Sequence, residues 1–243
     1  MPRALPVSNE RHIDELQILP RKGMLYQLQG PGHSGKSMRE FAEAWTAMTL
    51  MNGDYVHWID GACRFNPARI IQTFPHTLPD SEQLLHGLFV GRGFTVHQFS
   101  HLVQRLQAEI KITKAKLIVV DGPITMHLDP QIGNYEARSL FRRTIDLLKQ
   151  IAEENDVGIV LITSSRVHSR RHSHLLTMVK NRCQASLLGK RRRIQSQNKM
   201  WLFHMPTRSS GYRKKITPQQ TLHESISRVI DTRIRIEDAE EIE

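Results

Sequence analysis

Short apolar runs and longer amphipathic stretches alternate along most of the chain. Apolar runs predict buried strands at 24–29, 55–60, 117–120 and 158–163. Apolar residues at helical spacing predict helices at 36–51, 96–110 and 137–152. Thr95 and Asn134 have side chains suited to cap the second and third of these helices. Because this alternation is typical of a mostly parallel central sheet with flanking helices, the pattern predicts an α/β fold.

The pattern changes in the last third of the chain. Residues 185–188 and 200–205 predict further short strands, which would form an antiparallel extension at the C-terminal end of the sheet. The stretch 74–93 has no clear period and is predicted as a loop. The chain is therefore predicted to have three parts: an N-terminal lead segment at 1–22, a core at 23–223 and an acidic C-terminal tail at 224–243.

Composition excludes several classes of protein. The chain has 243 residues, of which 39% are hydrophobic and 24% charged, as expected for one folded domain rather than a disordered chain. No apolar run approaches the ~20 residues that a membrane span needs. With only two cysteines and no long apolar stretch at the N-terminus, the chain is predicted to be intracellular.

Positive charge is concentrated in one part of the sequence. The 34 Lys and Arg residues exceed the 24 Asp and Glu residues by ten. Residues 157–223 contain 14 of the basic residues and no acidic residue, which leaves 20 basic against 24 acidic residues elsewhere. A stretch of one sign indicates an anionic partner, and nucleic acid is the first candidate. The alternative is a generally basic surface without a partner.

A phosphate-binding motif lies between the first predicted strand and the first predicted helix. It fits the pattern G-x-x-x-x-G-K-[ST] and consists of Gly30, Pro31, Gly32, His33, Ser34, Gly35, Lys36 and Ser37. Glycines allow successive N–H groups to turn toward phosphates, Lys36 would reach the β- and γ-phosphates, and Ser37 would bind Mg²⁺. Asp121, at the end of a predicted strand, is the second predicted magnesium ligand, with an ordinary strand-end role as its alternative. The motif therefore predicts that the chain binds a nucleotide.

Several further segments occur in a recognisable order. They are Ile13-Asp14-Glu15-Leu16, Trp58-Ile59-Asp60 followed by Phe65, Pro67 and Arg69, Phe94-Thr95 with Gln98, Val119-Val120-Asp121, and Ile162-Thr163-Ser164-Ser165. From about residue 13 to residue 216, this order resembles the RecA/RadA recombinase superfamily, especially its short RadB-type paralogues. The resemblance implies a RecA-like core that uses ATP and Mg²⁺.

The chain departs from the pattern of that family at two positions. The family's usual form after the strand is I-D-T-E-G-x-F-x-P-E-R, and on this alignment its catalytic glutamate falls on Ala62. The glutamine that senses the γ-phosphate falls on Ser165. Alanine cannot orient water or accept a proton, so we expect tight ATP binding with slow or absent hydrolysis. Asp60 is the nearest retained carboxylate and a candidate catalytic residue, with a structural role at the strand end as the alternative.

The resemblance also implies where DNA would bind. The second DNA-binding loop of the superfamily would lie at 164–182 and the first at 125–138. The candidate DNA-binding residues are Arg166, Arg170, Arg171, Lys180 and Arg182, together with the basic run Lys190, Arg191, Arg192 and Arg193. Contacts of Arg and Lys to phosphates would bind single strands of any sequence. For the basic run, a hairpin tip or a targeting-like cluster is the alternative.

The resulting prediction is an ATP-binding recombinase paralogue that binds single-stranded DNA and assists homologous recombination or repair, with a recombinase or another paralogue as its protein partner. A second class is a catalytically silent adaptor for a recombination protein, in which ATP would have little effect on DNA affinity. A third is a P-loop kinase, which would transfer a phosphoryl group to a small molecule. The response of DNA affinity to ATP separates these three classes.

Overall fold

The computed structural model describes residues 12–13, 18–75, 78, 81–194 and 197–213. The predicted acidic tail at 224–243 and much of the predicted lead segment at 1–22 lie outside the described residues. The three predicted parts of the chain therefore stay a prediction.

One sheet of nine strands forms the centre of the part that is described. The strands are β1 (His12–Ile13), β2 (Leu25–Gly30), β3 (Val56–Asp60), β4 (Leu88–Arg92), β5 (Leu117–Asp121), β6 (Gly158–Ser164), β7 (Ala185–Ile194), β8 (Gln197–His204) and β9 (Ser209–Arg213). Their order across the sheet is β1-β9-β8-β7-β2-β6-β5-β3-β4. The strands from β7 to β4 pair in parallel, whereas β7, β8 and β9 pair antiparallel. The C-terminal ends of β2, β3, β5 and β6 therefore meet at one edge, where such sheets bind ligands.

Helices cover both faces of this sheet. They are α1 (Arg39–Met51), α2 (Pro67–Ile71), α3 (Val96–Thr113), α4 (Asn134–Asn155) and α5 (Arg170–Arg182). On one face, Phe41 and Trp45 of α1 pack into a buried cluster with Trp58 of β3. On the other face, α3, α4 and α5 contribute to a second cluster, which includes Phe99 and Phe141. The predicted α/β class, with a mostly parallel sheet, flanking helices and an antiparallel C-terminal part, is confirmed.

The region predicted as the second DNA-binding loop contains a helix. Residues 170–182 form α5, and a loop remains at 165–169. The Ser169 hydroxyl caps the helix by accepting a hydrogen bond from the His172 N–H at 3.1 Å. Leu175, Leu176 and Val179 are buried at helical spacing. The prediction of a loop over 164–182 was therefore wrong, because the basic residues between these positions concealed the apolar stripe.

Three other local predictions differ from the structure. The predicted loop at 74–93 contains the edge strand β4, whose apolar run, Leu88-Phe89-Val90, is only three residues long and is followed by Gly91. Gly133 rather than Asn134 occupies the N-cap position of α4. The basic run that follows Leu188 belongs to β7 itself, which is longer than predicted.

Candidate nucleotide-binding site

The glycine-rich motif forms a tight turn after β2. Gly32, Ser34 and Gly35 have positive φ angles of 91°, 47° and 76°, a region that glycine adopts without a steric penalty. Gly35 also lies so close to β6 that a Cβ atom there would be 2.2 Å from the Thr163 carbonyl oxygen. Left-handed residues in a turn bring successive N–H groups to one side, which is an arrangement that binds phosphate oxygens. The exposed ammonium group of Lys36 adds positive charge to this turn.

Two neighbouring segments are hydrogen-bonded to the turn. The Ser165 N–H, just after β6, donates to the Gly30 carbonyl at 2.8 Å. The hydroxyl groups of Ser34 and Thr125 are 2.8 Å apart, which joins the turn to the segment that follows β5. A ligand that changes the shape of the turn would therefore act on both segments directly.

Asp121 ends β5 beside Asp60 of β3 and is fully buried. Its carboxylate accepts hydrogen bonds from the Arg64 Nε, at 2.9 Å, and from the Arg64 Nη2. The Nε of buried Arg39 lies 3.1 Å from the same carboxylate. Burial raises the pKa of Asp121 above its usual range, against the lowering effect of Arg64 and Arg39. Both oxygens of the predicted magnesium ligand are thus paired with guanidinium groups.

Arg64 also holds the phosphate-binding turn. Its Nη1 donates to the His33 carbonyl at 2.6 Å, and its Nη2 donates to the Ser34 carbonyl at 2.9 Å. One planar guanidinium therefore bridges the turn and Asp121. Arginine suits this position because its donors form a rigid fork that can serve several oxygens at once.

The charge network continues away from the turn. Glu43 of α1 lies 3.3 Å from Arg39 Nη2 and 2.9 Å from Arg69 Nε. Burial lowers the pKa of Arg39 and raises the pKa of Glu43. Arg92, at the end of β4, pairs with Asp60 at 3.0 Å. Four guanidinium groups therefore surround three carboxylates, and the described network carries one net positive charge.

Asp60 has hydrogen-bond partners on both carboxylate oxygens. Besides Arg92, it accepts hydrogen bonds from the backbone N–H groups of Arg64, at 3.1 Å, and Phe65, at 2.8 Å. These contacts fix the chain as it leaves β3. They fit the structural role at a strand end more closely than that of a general base, because three hydrogen bonds already stabilise the carboxylate in its unprotonated form.

Ala62 lies where the resemblance expects a catalytic glutamate. A Cβ atom added to Gly122 would be 2.7 Å from the Ala62 Cβ, so residue 62 faces the start of the segment after Asp121. The methyl side chain of Ala62 has no group that can accept a proton from water. The position is therefore close to the predicted metal ligand but chemically silent.

Ser37, the other predicted magnesium ligand, contacts the basic strand. Its hydroxyl oxygen accepts a hydrogen bond from Arg191 Nη2 at 2.7 Å. β7 pairs in parallel with β2 as far as Leu188 opposite Gln29, so the residues that follow Leu188 extend past the end of β2. The pairing of these two strands therefore brings Arg191 to the phosphate-binding turn.

A family model for Rad51 matches residues 46–184, which is more than half of the chain. This chain belongs to the Rad51 family. The match includes Asp60, Ala62 and Asp121, but it begins after the phosphate-binding turn and ends before β7. Membership supports a RecA-like protein with a nucleotide-binding and recombination- or repair-related role. The comparison with curated proteins gave no match.

Most of the DNA-binding candidates of this Rad51-family chain are exposed. On the segment from β6 to the end of α5, the exposed residues are Arg166, Arg170 and Lys180. On β7, they are Lys190, Arg191, Arg192 and Arg193. The Arg192 guanidinium lies 4.6 Å from the centre of the Trp201 ring, a cation–π contact on the face opposite to Ser37. Trp201 also packs edge-on against Tyr212, as expected for a residue within the sheet.

Two other DNA-binding candidates make protein contacts. Arg171 donates to Asn134 Oδ1 at 2.6 Å, to the Asp129 carbonyl at 2.7 Å and to the Ile132 carbonyl at 2.8 Å. Arg182 pairs with Asp146 of α4 at 2.5 Å. These contacts give Arg171 and Arg182 a structural role.

The sequence analysis missed the arginines that surround Asp121. Arg39 and Glu43 occupy positions i and i+4 on the buried face of α1, and an oppositely charged pair on such a face indicates a buried ion pair. Arg64 falls on a variable position of the family pattern, and its role depends on a fold that brings β3 beside β5. No described helix is long and apolar enough to cross a membrane.

Proposed function

We propose that this chain is an ATP-binding recombinase paralogue of the RadB type, which binds single-stranded DNA and assists homologous recombination or DNA repair inside the cell. The hydrogen bond between Arg191 and Ser37 is the observation that carries the proposal. It connects the turn suited to phosphates with the strand that has the densest positive charge. A nucleotide and a DNA strand would therefore bind at adjacent parts of the protein.

The charges of the exposed arginines and lysines support binding without sequence selectivity. Arg166, Arg170 and Lys180 precede β7, and the basic run lies on β7 itself. Such side chains contact phosphates, and each contact makes affinity fall as salt rises. Since Arg171 and Arg182 have protein partners, we expect them to contribute less to DNA binding than the exposed residues do.

Weak or absent hydrolysis is part of the same proposal. Ala62 provides no base, and the carboxylate of Asp60 is engaged by Arg92 and two backbone N–H groups. ATP would then act as a bound ligand that changes DNA affinity. Ligand binding can do this whenever the two states of the protein differ in their affinity for it.

The test is fluorescence anisotropy of a labelled single strand, titrated with protein with and without ATP at two salt concentrations. Lys36→Ala should abolish the ATP effect and leave the fold intact, because Lys36 is exposed. Arg191→Gln and Arg193→Gln each remove one charge from the same face of β7. Both should weaken DNA binding to a similar extent, whereas Arg191→Gln alone should also change the response to ATP.

Each outcome of this titration has a clear meaning. Tighter binding with ATP that weakens steeply with salt supports the proposal. DNA affinity that ignores ATP favours the adaptor, and absence of DNA binding contradicts the DNA role and reopens the kinase alternative.

One surface favours the adaptor as a second candidate. β4 lies at the end of the described sheet, and Phe89 and Val90 on it are exposed. An edge strand with apolar side chains can accept an extended segment of a partner as an additional strand. Val90→Asp should then abolish co-purification with a recombinase partner while leaving DNA binding unchanged. Loss of both properties would instead indicate a damaged fold.

A further inference from the structure

The groups that the sequence predicts for Mg²⁺ are already paired with arginines. The Asp121 carboxylate faces Arg64 and Arg39, and the Ser37 hydroxyl oxygen accepts a hydrogen bond from Arg191. Magnesium needs near-octahedral oxygen coordination, usually with several of its own waters. In this arrangement the Arg64 guanidinium donates hydrogen bonds to the Asp121 carboxylate, which is the group that would otherwise hold those waters. The residues therefore do not fit a magnesium ion as they stand.

Displacing Arg64 would be costly. Its guanidinium would lose the paired contacts to buried Asp121 and two hydrogen bonds to carbonyl groups of the turn. Arg39, which is buried as well, would still lie 3.1 Å from the same carboxylate. A divalent cation would thus have to bind beside the positive charge of Arg39, which is buried within the protein.

We infer that this site binds nucleoside triphosphates without Mg²⁺ and that Arg64 supplies the positive charge beside the phosphates. The inference rests on the proposed nucleotide binding at residues 30–37. Arginine is always charged and binds phosphate oxygens through charge-assisted hydrogen bonds. The contacts of Arg64 within the described residues use four of its five N–H groups. The fifth, on Nη1, is available to a phosphate oxygen at the turn.

The geometry makes Arg64 a determinant of ligand specificity. Free triphosphate and its magnesium complex differ by two charges, and a site that carries its own cation favours the metal-free form. The surrounding network has one net positive charge before Lys36 and Arg191 are counted. Because the charge is covalently attached, chelators should not remove it.

The experiment measures ATP binding by isothermal titration calorimetry in excess Mg²⁺ and in EDTA. For the unaltered protein, we expect ATP to bind at least as tightly in EDTA as in excess Mg²⁺, because Mg²⁺ competes with the site for the metal-free triphosphate. Arg64→Ala should weaken ATP binding in EDTA about tenfold or more, because charge-assisted hydrogen bonds are lost. Mg²⁺ should restore part of the lost affinity, because the Asp121 carboxylate is then no longer paired with Arg64. Arg64→Lys keeps the positive charge but lacks the forked set of donors. Its affinity for ATP in EDTA should therefore lie between those of the unaltered protein and Arg64→Ala. Arg105→Ala, at an exposed arginine of α3, is the matched control.

Three results would overturn the inference. Binding by the unaltered protein that falls more than about tenfold in EDTA would show that magnesium is required, and nucleotide binding itself would stand. Tighter binding by Arg64→Ala in EDTA would show that Arg64 blocks the site rather than serving it. Absence of ATP binding in both buffers would remove the proposed nucleotide binding and the inference together. Since the first comparison uses the unaltered protein, it remains decisive if a variant fails to fold.

Discussion

Arg171 and its neighbour Arg170 allow a DNA-binding role to be separated from a structural one. Both belong to the predicted DNA-binding set, and both begin α5. Arg170 is exposed, whereas Arg171 ties the segment between β5 and α4 to α5 through hydrogen bonds of 2.6, 2.7 and 2.8 Å. Each such bond contributes about 1 kcal/mol net, so Arg171→Ala should lower the free energy of unfolding by about 2–3 kcal/mol.

Thermal unfolding followed by circular dichroism measures this difference. For a domain of this size, a loss of about 2–3 kcal/mol lowers Tm by roughly 4–12 °C. Arg170→Ala removes the same charge and should leave Tm nearly unchanged. In the DNA titration the order should reverse, with Arg170→Ala causing the larger loss of affinity. Equal Tm values for the two variants would refute the structural role of Arg171.

Two further variants test the turn and the buried histidine. Gly35→Ala should destabilise the fold by at least twice as much as Gly53→Ala in urea unfolding, because both have a φ of 76° but a Cβ atom overlaps the Thr163 carbonyl only at Gly35. Equal losses would contradict this close approach. Burial lowers the pKa of His127 from 6.5 to about 4. As the pH falls, the unfolded chain is therefore protonated at His127 before the folded protein is, and the free energy of unfolding should decrease by on the order of 3 kcal/mol from pH 6.5 to 4. His127→Phe should make that pH dependence shallower, and an unchanged slope would exclude His127 as its cause.

The parts of the fold that depend on local sequence could be predicted. The apolar strands of the centre were found because both of their faces are buried. The helix capped by Thr95 was found because its apolar stripe is continuous, and the Thr95 hydroxyl does accept a hydrogen bond from the Gln98 N–H. The glycine-rich turn was found because its backbone shape restricts the residues that it can contain.

The remaining features depend on contacts between distant segments. Arg64 and Asp121 are separated by 57 positions and meet because β3 and β5 are adjacent in the sheet. β4 lies at an edge of the described sheet, and its run of three apolar residues is too short to predict a strand from the sequence alone. Arg171 is of a residue type that is common in nucleic-acid contacts, but two of its partners are backbone carbonyl groups, which no sequence pattern identifies.

The alternation of side chains along β7 limits how strongly a nucleotide can control DNA binding. Arg191 and Arg193 lie on the face of the turn, while Lys190 and Arg192 lie on the opposite face, where Arg192 rests on Trp201. A phosphate that takes the Ser37 hydroxyl would release or redirect Arg191 and leave the other face unchanged. ATP would then alter about one phosphate contact, which corresponds to a change of about one in the slope of log affinity against log salt. The basic strand should therefore bind DNA with or without the nucleotide, and ATP should adjust that affinity rather than create it.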